Sequence, residues 1–129
     1  MLDAVRRSGA DSFLARDSAG FDLFVGERGA SLSGGQRSFL VLARALVEPC
    51  KLLYLDEPTG AMDTQTEQLF IDRLASATRP GQTLIVSTHR NAMLAIVDRL
   101  IVLDAGRIIA DGPKDQVLGA LSALQEKGE

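Results

Sequence analysis

Leu32-Ser33-Gly34-Gly35-Gln36-Arg37 puts two consecutive glycines at the mouth of an apolar helix, and Leu52-Leu53-Tyr54-Leu55-Asp56-Glu57-Pro58 is a short apolar run ending in paired carboxylates. Between them, Phe39, Leu42, Ala43 and Leu46 fall at i, i+3, i+4 and i+7, one apolar helical face, which Pro49 ends. Lys51 to Asp56 is apolar without alternation, the pattern of a parallel strand covered on both faces. A helix over Thr64–Thr78 comes next, with Phe70, Ile71, Leu74 and Ala75 inward, Thr64-Gln65-Thr66-Glu67 as a capping box and Pro80-Gly81 as a stop. Thr83–Ser87 is a second buried strand, parallel to the first, and Asn91 caps a short helix through Ile96. Arg99–Leu103 and Arg107–Ala110 pair around the turn Asp104-Ala105-Gly106. Asp111-Gly112-Pro113 leads into a last helix carrying Val117, Leu118, Leu121 and Leu124. Before Ser33 the chain is less regular. Leu2–Arg7 makes one or two helical turns, and Gly9, Ser18, Gly20, Gly26 and Gly29 break the stretch up to Ser33 into loops. Strands alternating with helices predict an α/β fold with a mainly parallel sheet and flanking helices.

The bulk properties bound the possible partners. With 129 residues the chain can bury a core of its own, and 46% hydrophobic with 24% charged residues is ordinary for a globular domain. A net charge of -3 gives no broad basic surface and argues against nucleic acid. The one cysteine, Cys50, excludes an internal disulfide framework, fits a reducing compartment, and is expected as a small apolar residue entering a buried strand. No apolar stretch approaches the roughly 18–20 residues of a bilayer span. Asp3, Arg6, Arg7 and Asp11 stand where a secretory signal would need an apolar core.

The chemistry concentrates in four short strings. Ser33 as N-cap and Gln36 at N3 make a capping box, which accounts for both residues but not for Gly34 and Gly35. Each glycine costs the first turn roughly 0.8–1 kcal/mol relative to alanine. Their presence is expected where a ligand approaches the backbone, and a helix N-terminus favours a phosphate. Asp56 and Glu57 stand at the carboxyl end of a strand, where open α/β sheets bind ligands. Two adjacent acids there, with Pro58 and Gly60 shaping the turn, favour a Mg²⁺ site with Asp56 as a water-mediated ligand. His89, the only histidine, ends the second strand, so its side chain is expected to open on the same crevice. Asp63, in Ala61-Met62-Asp63, is a natural helix N-cap.

Together and in this order, these strings resemble the ATP-binding cassette (ABC) ATPases: signature motif at Leu32–Arg37, Walker B strand ending at Asp56-Glu57, D-loop at Ala61-Met62-Asp63 and H-loop at Ser87-Thr88-His89. The phosphate-cradling Gly-x-x-x-x-Gly-Lys-[Ser/Thr] does not occur, so the resemblance is to a partial P-loop NTPase fold, the C-terminal half of a nucleotide-binding domain without the Walker A strand and loop. It divides the chain into a remainder of the helical subdomain with an exporter-type loop (1–31) and the C-terminal part of the ATPase core (32–129). It implies ATP with Mg²⁺, Glu57 as general base, and His89 as a hydrogen-bonding partner of the γ-phosphate. Ser33, Gly34, Gly35 and Gln36 would form the binding loop for the nucleotide of a second, head-to-tail domain, with Ser33 and Gly35 as the phosphate contacts and Gln36 and Arg37 supporting the loop, while Asp63 would bridge the two sites. Ser38 stands where relatives commonly carry glutamine. Phe21-Asp22-Leu23, Val25-Gly26-Glu27-Arg28-Gly29 and Gly112–Leu118 resemble exporters, most of all type I protein-secretion ATPases. The resemblance thus also implies a transmembrane exporter domain as partner and a place at the inner face of the cytoplasmic membrane. Chromosome-maintenance ATPases share a similar signature but carry long coiled-coil flanks. A half-domain keeping only the motif that acts in trans could instead be a non-catalytic interaction module. The start at Leu2–Phe13 resembles the middle of the helical subdomain, with Ala4, Val5 and Phe13 as apolar anchors awaiting a partner surface, and a phosphate loop encoded upstream is expected.

Overall fold

The computed structural model describes residues 1–126, with side chains through residue 123; Leu124 on the last helix and residues 127–129 lie outside that description. The chain forms two compact units, Met1–Ala92 and Met93–Glu129.

The first unit is helices against a parallel strand pair. Helix α1, Leu2–Ser8, buries Ala4 and Val5, and ends at Gly9, whose φ of 88° is the left-handed conformation a helix C-cap favours. A short helix α2 spans Asp11–Leu14. Helix α3, Gly34–Ala45, buries Phe39, Leu42 and Ala43, the predicted stripe, and is capped at Leu46, three residues before Pro49. Strand β1, Leu52–Asp56, pairs in parallel with β2, Thr83–Ser87, in register from Leu52↔Thr83 to Asp56↔Ser87. Helix α4, Thr64–Ala77, buries Glu67, Phe70, Ile71, Leu74 and Ala77. The Phe39 and Phe70 rings pack with centroids 5.4 Å apart, joining α3 to α4. Arg7 Nη2 donates to the Ala77 carbonyl at 2.7 Å, tying α1 to the last turn of α4.

Several expectations are corrected here. The strands are not covered on both faces: Leu53 and Leu55 are buried while Leu52, Tyr54 and Ile85 are exposed, because the described elements of this unit cover one side of the pair. Ala75 is exposed; the inward stripe of α4 runs 67–70–71–74–77, one helical step away from it. The capping box read at Thr64-Gln65-Thr66-Glu67 does not form: the N-cap is Asp63, as its place before the helix suggested, and Glu67 is buried instead. Ala4 and Val5 are buried within the chain itself, since α1 packs on α3 and α4. Cys50 is exposed because it precedes the strand, where its carbonyl accepts from Gln82 Nε2 at 3.1 Å.

The second unit is a hairpin and a helix. Strands β3, Arg99–Asp104, and β4, Arg107–Pro113, are antiparallel, with Ala105 (φ 45°) and Gly106 (φ 74°) forming the tight turn predicted there. Arg99 forks onto both Asp111 carboxylate oxygens at 2.9 Å, which holds that carboxyl below the usual carboxylate range. Helix α5, Lys114–Glu126, buries Val117, and the Lys114 amide donates to the Asp98 carbonyl at 2.9 Å. The segment Asn91–Ile96, which joins the units, is a 3₁₀ rather than an α-helix.

Candidate functional site

Parallel, in-register pairing of β1 with β2 sends both strand ends to one edge, which brings Asp56, Glu57 and His89 together as the sequence predicted. The Glu57 amide extends the ladder by donating to the Ser87 carbonyl at 2.9 Å. Glu57 then turns left-handed at φ 44°, a conformation that costs a non-glycine residue on the order of 1–3 kcal/mol and recurs at functional sites. The turn aims its carboxylate at the histidine: His89 Nδ1 lies 2.9 Å from Glu57 Oε1. Both groups stay accessible, with 76% of the His89 side chain and 43% of the Glu57 side chain exposed. With Nδ1–H directed at the carboxylate, the ring offers Nε2 outward. It donates there to a second acceptor only when it carries both protons.

Asp56 accepts from the Ser87 hydroxyl, which orients one carboxylate oxygen and leaves the other available. Among the described residues no group of three or more His, Cys, Asp and Glu side chains stands ready to hold a metal. One or two carboxylates at a strand end suit Mg²⁺, which keeps most of its waters and takes the remaining ligands from phosphates. The donor set fits that ion and would not fit a structural zinc.

The mouth of α3 is built as expected. Ser33 Oγ accepts from the Gln36 amide at 3.1 Å and Gln36 Oε1 from the Ser33 amide at 2.9 Å, a complete capping box. The Gly34 and Gly35 amides have no intrahelical acceptor, and no acid stands in the first turn. The need for glycine, however, has a source within the chain. A Cβ on Gly34 would lie 2.7 Å from the Ala61 Cβ, and one on Gly35 would lie 2.9 Å from Thr66 Cγ2. The backbone of α3 therefore rests directly on the segment 61–66, a close approach that composition and spacing do not show.

Asp63 caps α4 with both oxygens, Oδ1 accepting from the Thr66 amide at 2.9 Å and Oδ2 from its hydroxyl at 2.8 Å. These bonds hold its carboxyl below the usual range. Arg37 Nη2 donates to the Gly29 carbonyl at 3.1 Å, fastening the loop 26–29, in which Gly26, Arg28 and Gly29 are all left-handed, to α3.

Three residues were not legible as part of this site. Thr59 is fully buried and donates to Glu67 Oε1 at 2.8 Å, and Arg90 reaches the other Glu67 oxygen at 3.4 Å. Only the place of Arg90 beside the lone histidine hinted at it.

A family model described as "ABC transporter" matches residues 9–60. The chain is 43% identical over 123 residues to the mycobactin import ATP-binding/permease protein IrtB of Mycolicibacterium smegmatis, covering 95% of the chain and 21% of that relative. It is 36% identical over 124 residues to the alpha-hemolysin translocation ATP-binding protein HlyB of Escherichia coli, covering 96% of the chain and 17% of the relative. Among solved structures, a bacterial Atm1-family ABC exporter with ATP bound superposes with a TM-score of 0.82 at 36% identity, over 92% of this chain and 21% of that one. The chain thus spans about a fifth of the length of the curated relatives it matches.

Proposed function

The chain belongs to the ABC transporter ATPases, and from that premise we propose that it carries the C-terminal catalytic groups of an exporter-type nucleotide-binding domain. In the intact protein that domain hydrolyses ATP to ADP and phosphate, and the energy drives export through a transmembrane domain at the inner face of the membrane. No helix among the described residues is long and apolar enough to cross a membrane, and in this reading the crossing segments belong to that other domain.

The 2.9 Å approach of His89 to Glu57 at the shared edge of β1 and β2 carries this reading. Glu57 is the general base: one carboxylate oxygen is held by the ring, and the other accepts the proton of the attacking water. Asp56 would hold Mg²⁺ through its waters, and the ion would supply charge neutralisation at the phosphates. His89 Nε2 faces the γ-phosphate while Nδ1 keeps the base in place. Ser33 Oγ and the free amides of Gly34 and Gly35, presented by the Gln36 half of the capping box, meet the phosphates of a second domain's nucleotide, with Asp63 between the two sites. Residues 1–31 supply the end of the helical subdomain and the exporter-type loop, and residues 32–129 the core. Similarity to an alpha-hemolysin translocation ATP-binding protein and the strings around Phe21–Gly29 and Gly112–Leu118 support type I protein secretion as the transport process.

Glu57→Gln in the intact protein tests the base. Turnover is expected to fall by about 10²–10⁴-fold with ATP binding retained, since the amide cannot take the proton. Near-normal turnover would remove Glu57 from that role.

A further inference from the structure

Arg90 does more than stand next to the histidine. Its guanidinium spreads over three acceptors at the outer edge of hydrogen-bond range: Glu67 Oε2 at 3.4 Å, the Met62 carbonyl at 3.3 Å and the Gly60 carbonyl at 3.5 Å. Glu67 Oε1 accepts from Thr59 Oγ1 at 2.8 Å. Thr59 is 0% and Glu67 5% exposed. The turn after β1, the first turn of α4 and the segment after β2 therefore close on one polar knot, buried at Thr59 and Glu67 and partly exposed at Arg90.

A carboxylate this deep is tolerated only when it is paired and hydrogen-bonded, and an apolar trio would fill the same space with less at stake. What the polar version adds is direction. The knot grips the turn 57–62 at two carbonyls, and the turn is otherwise closed only by Gly60 N–H to the Glu57 carbonyl at 3.2 Å and Met62 N–H to the Thr59 carbonyl at 3.1 Å. Left-handed Glu57 stands at one end of this turn. Near the other is Ala61, the surface on which Gly34 rests.

We propose that Arg90, through Glu67 and Thr59, is a positioning residue that locks the turn 57–62, so that one rigid element places both the Glu57–His89 pair and the glycine mouth of α3. Arg90 touches no reacting atom. Its meaning for hydrolysis rests on the proposed function, but the mechanical claim is separable and is tested without nucleotide.

The test is amide hydrogen exchange and nitrogen NMR on the full chain, where the single histidine gives one unambiguous ring signal. Arg90→Gln is expected to lower protection at the Met62 amide by about tenfold or more. It should also shift the Gly34 and Gly35 amides and the His89 ring nitrogens, and leave the Thr83 amide on the β1–β2 ladder protected. A folded Arg90→Gln variant with native Met62 protection and native Gly34 and Gly35 shifts overturns the proposal. So does an even loss of protection that includes Thr83, the mark of a merely structural role. If Arg90→Gln does not fold, Arg90→Lys decides. The ammonium keeps its charge beside Glu67 but lacks the planar fork that spans Glu67 on one nitrogen and the two carbonyls on the other, so lost Met62 protection supports the lock and native protection refutes it.

Discussion

Gly34 shows how a reading from sequence can miss a cause that lies within the chain. From the sequence, two glycines opening a helix pointed to a ligand approaching the backbone. The structure adds a nearer cause, since Ala61 and Thr66 occupy the space where side chains would go. The chain could not announce this, because residues 34 and 61 are distant in sequence and share no periodicity. Gly34→Ala is therefore expected to destabilise the fold by about 1–3 kcal/mol through overpacking, and Ala61→Gly in the same chain to restore only part of it, since the Ala61 carbonyl oxygen stays 3.0 Å from the added Cβ. Urea unfolding of the two variants checks this. Native stability of Gly34→Ala would mean that the close approach is not a constraint. The carboxylates were more legible: Asp56 and Glu57 end an apolar run, and a strand end is where such groups act. The Thr59–Glu67–Arg90 knot was hidden, since Thr, Glu and Arg in those places also suit a solvated turn and helix surface.

Among elements, helices were read better than the environment of the strands. Phe39, Leu42 and Leu46, or Phe70, Ile71 and Leu74, recur at helical spacing, and that spacing alone fixes which face is buried. Strand β1 has apolar side chains on both faces, and its sequence reports their chemistry without saying what covers them; Leu53 and Leu55 are covered, Leu52 and Tyr54 are not. The start of α4 was read in place, at Thr64 with Asp63 as its cap, but the Thr64-x-x-Glu67 capping box does not form, because Asp63 takes the Thr66 amide. That cap yields a pH prediction. The Asp63 carboxyl is held below its ordinary value of 3.8, chiefly by the Thr66 amide and then the Thr66 hydroxyl. A depressed folded-state value means the cap's contribution is fully present above about pH 3.8 and is lost as pH falls through the lower folded value. Protection of the Thr66 amide relative to the unfolded chain, tracked downward from pH 5, should fall only below that value, and Asp63→Asn should flatten the dependence. An unchanged profile in Asp63→Asn would assign the effect to another group.

At the scale of the whole molecule, each of the two units leaves apolar side chains exposed: Tyr54 and Ile85 on the first, Ile101, Leu103 and Ile108 on the second. In the proposed function the chain holds groups that serve two different nucleotides. Glu57 and His89 work beside the nucleotide of their own domain, whereas Ser33 and Gly35 face that of a partner. Neither a stability measurement nor one variant separates these roles, but mixed dimers do. In the intact protein, two differently tagged subunits allow a dimer pairing Glu57→Gln with Ser33→Arg to be isolated and compared with one pairing the double variant with native protein. If the signature acts in trans, the first dimer concentrates both lesions in one site and keeps a working second site, while the other dimer has a lesion in each site and is inactive. ATP turnover in the first and none in the second is the predicted result, and the reverse pattern would contradict the account.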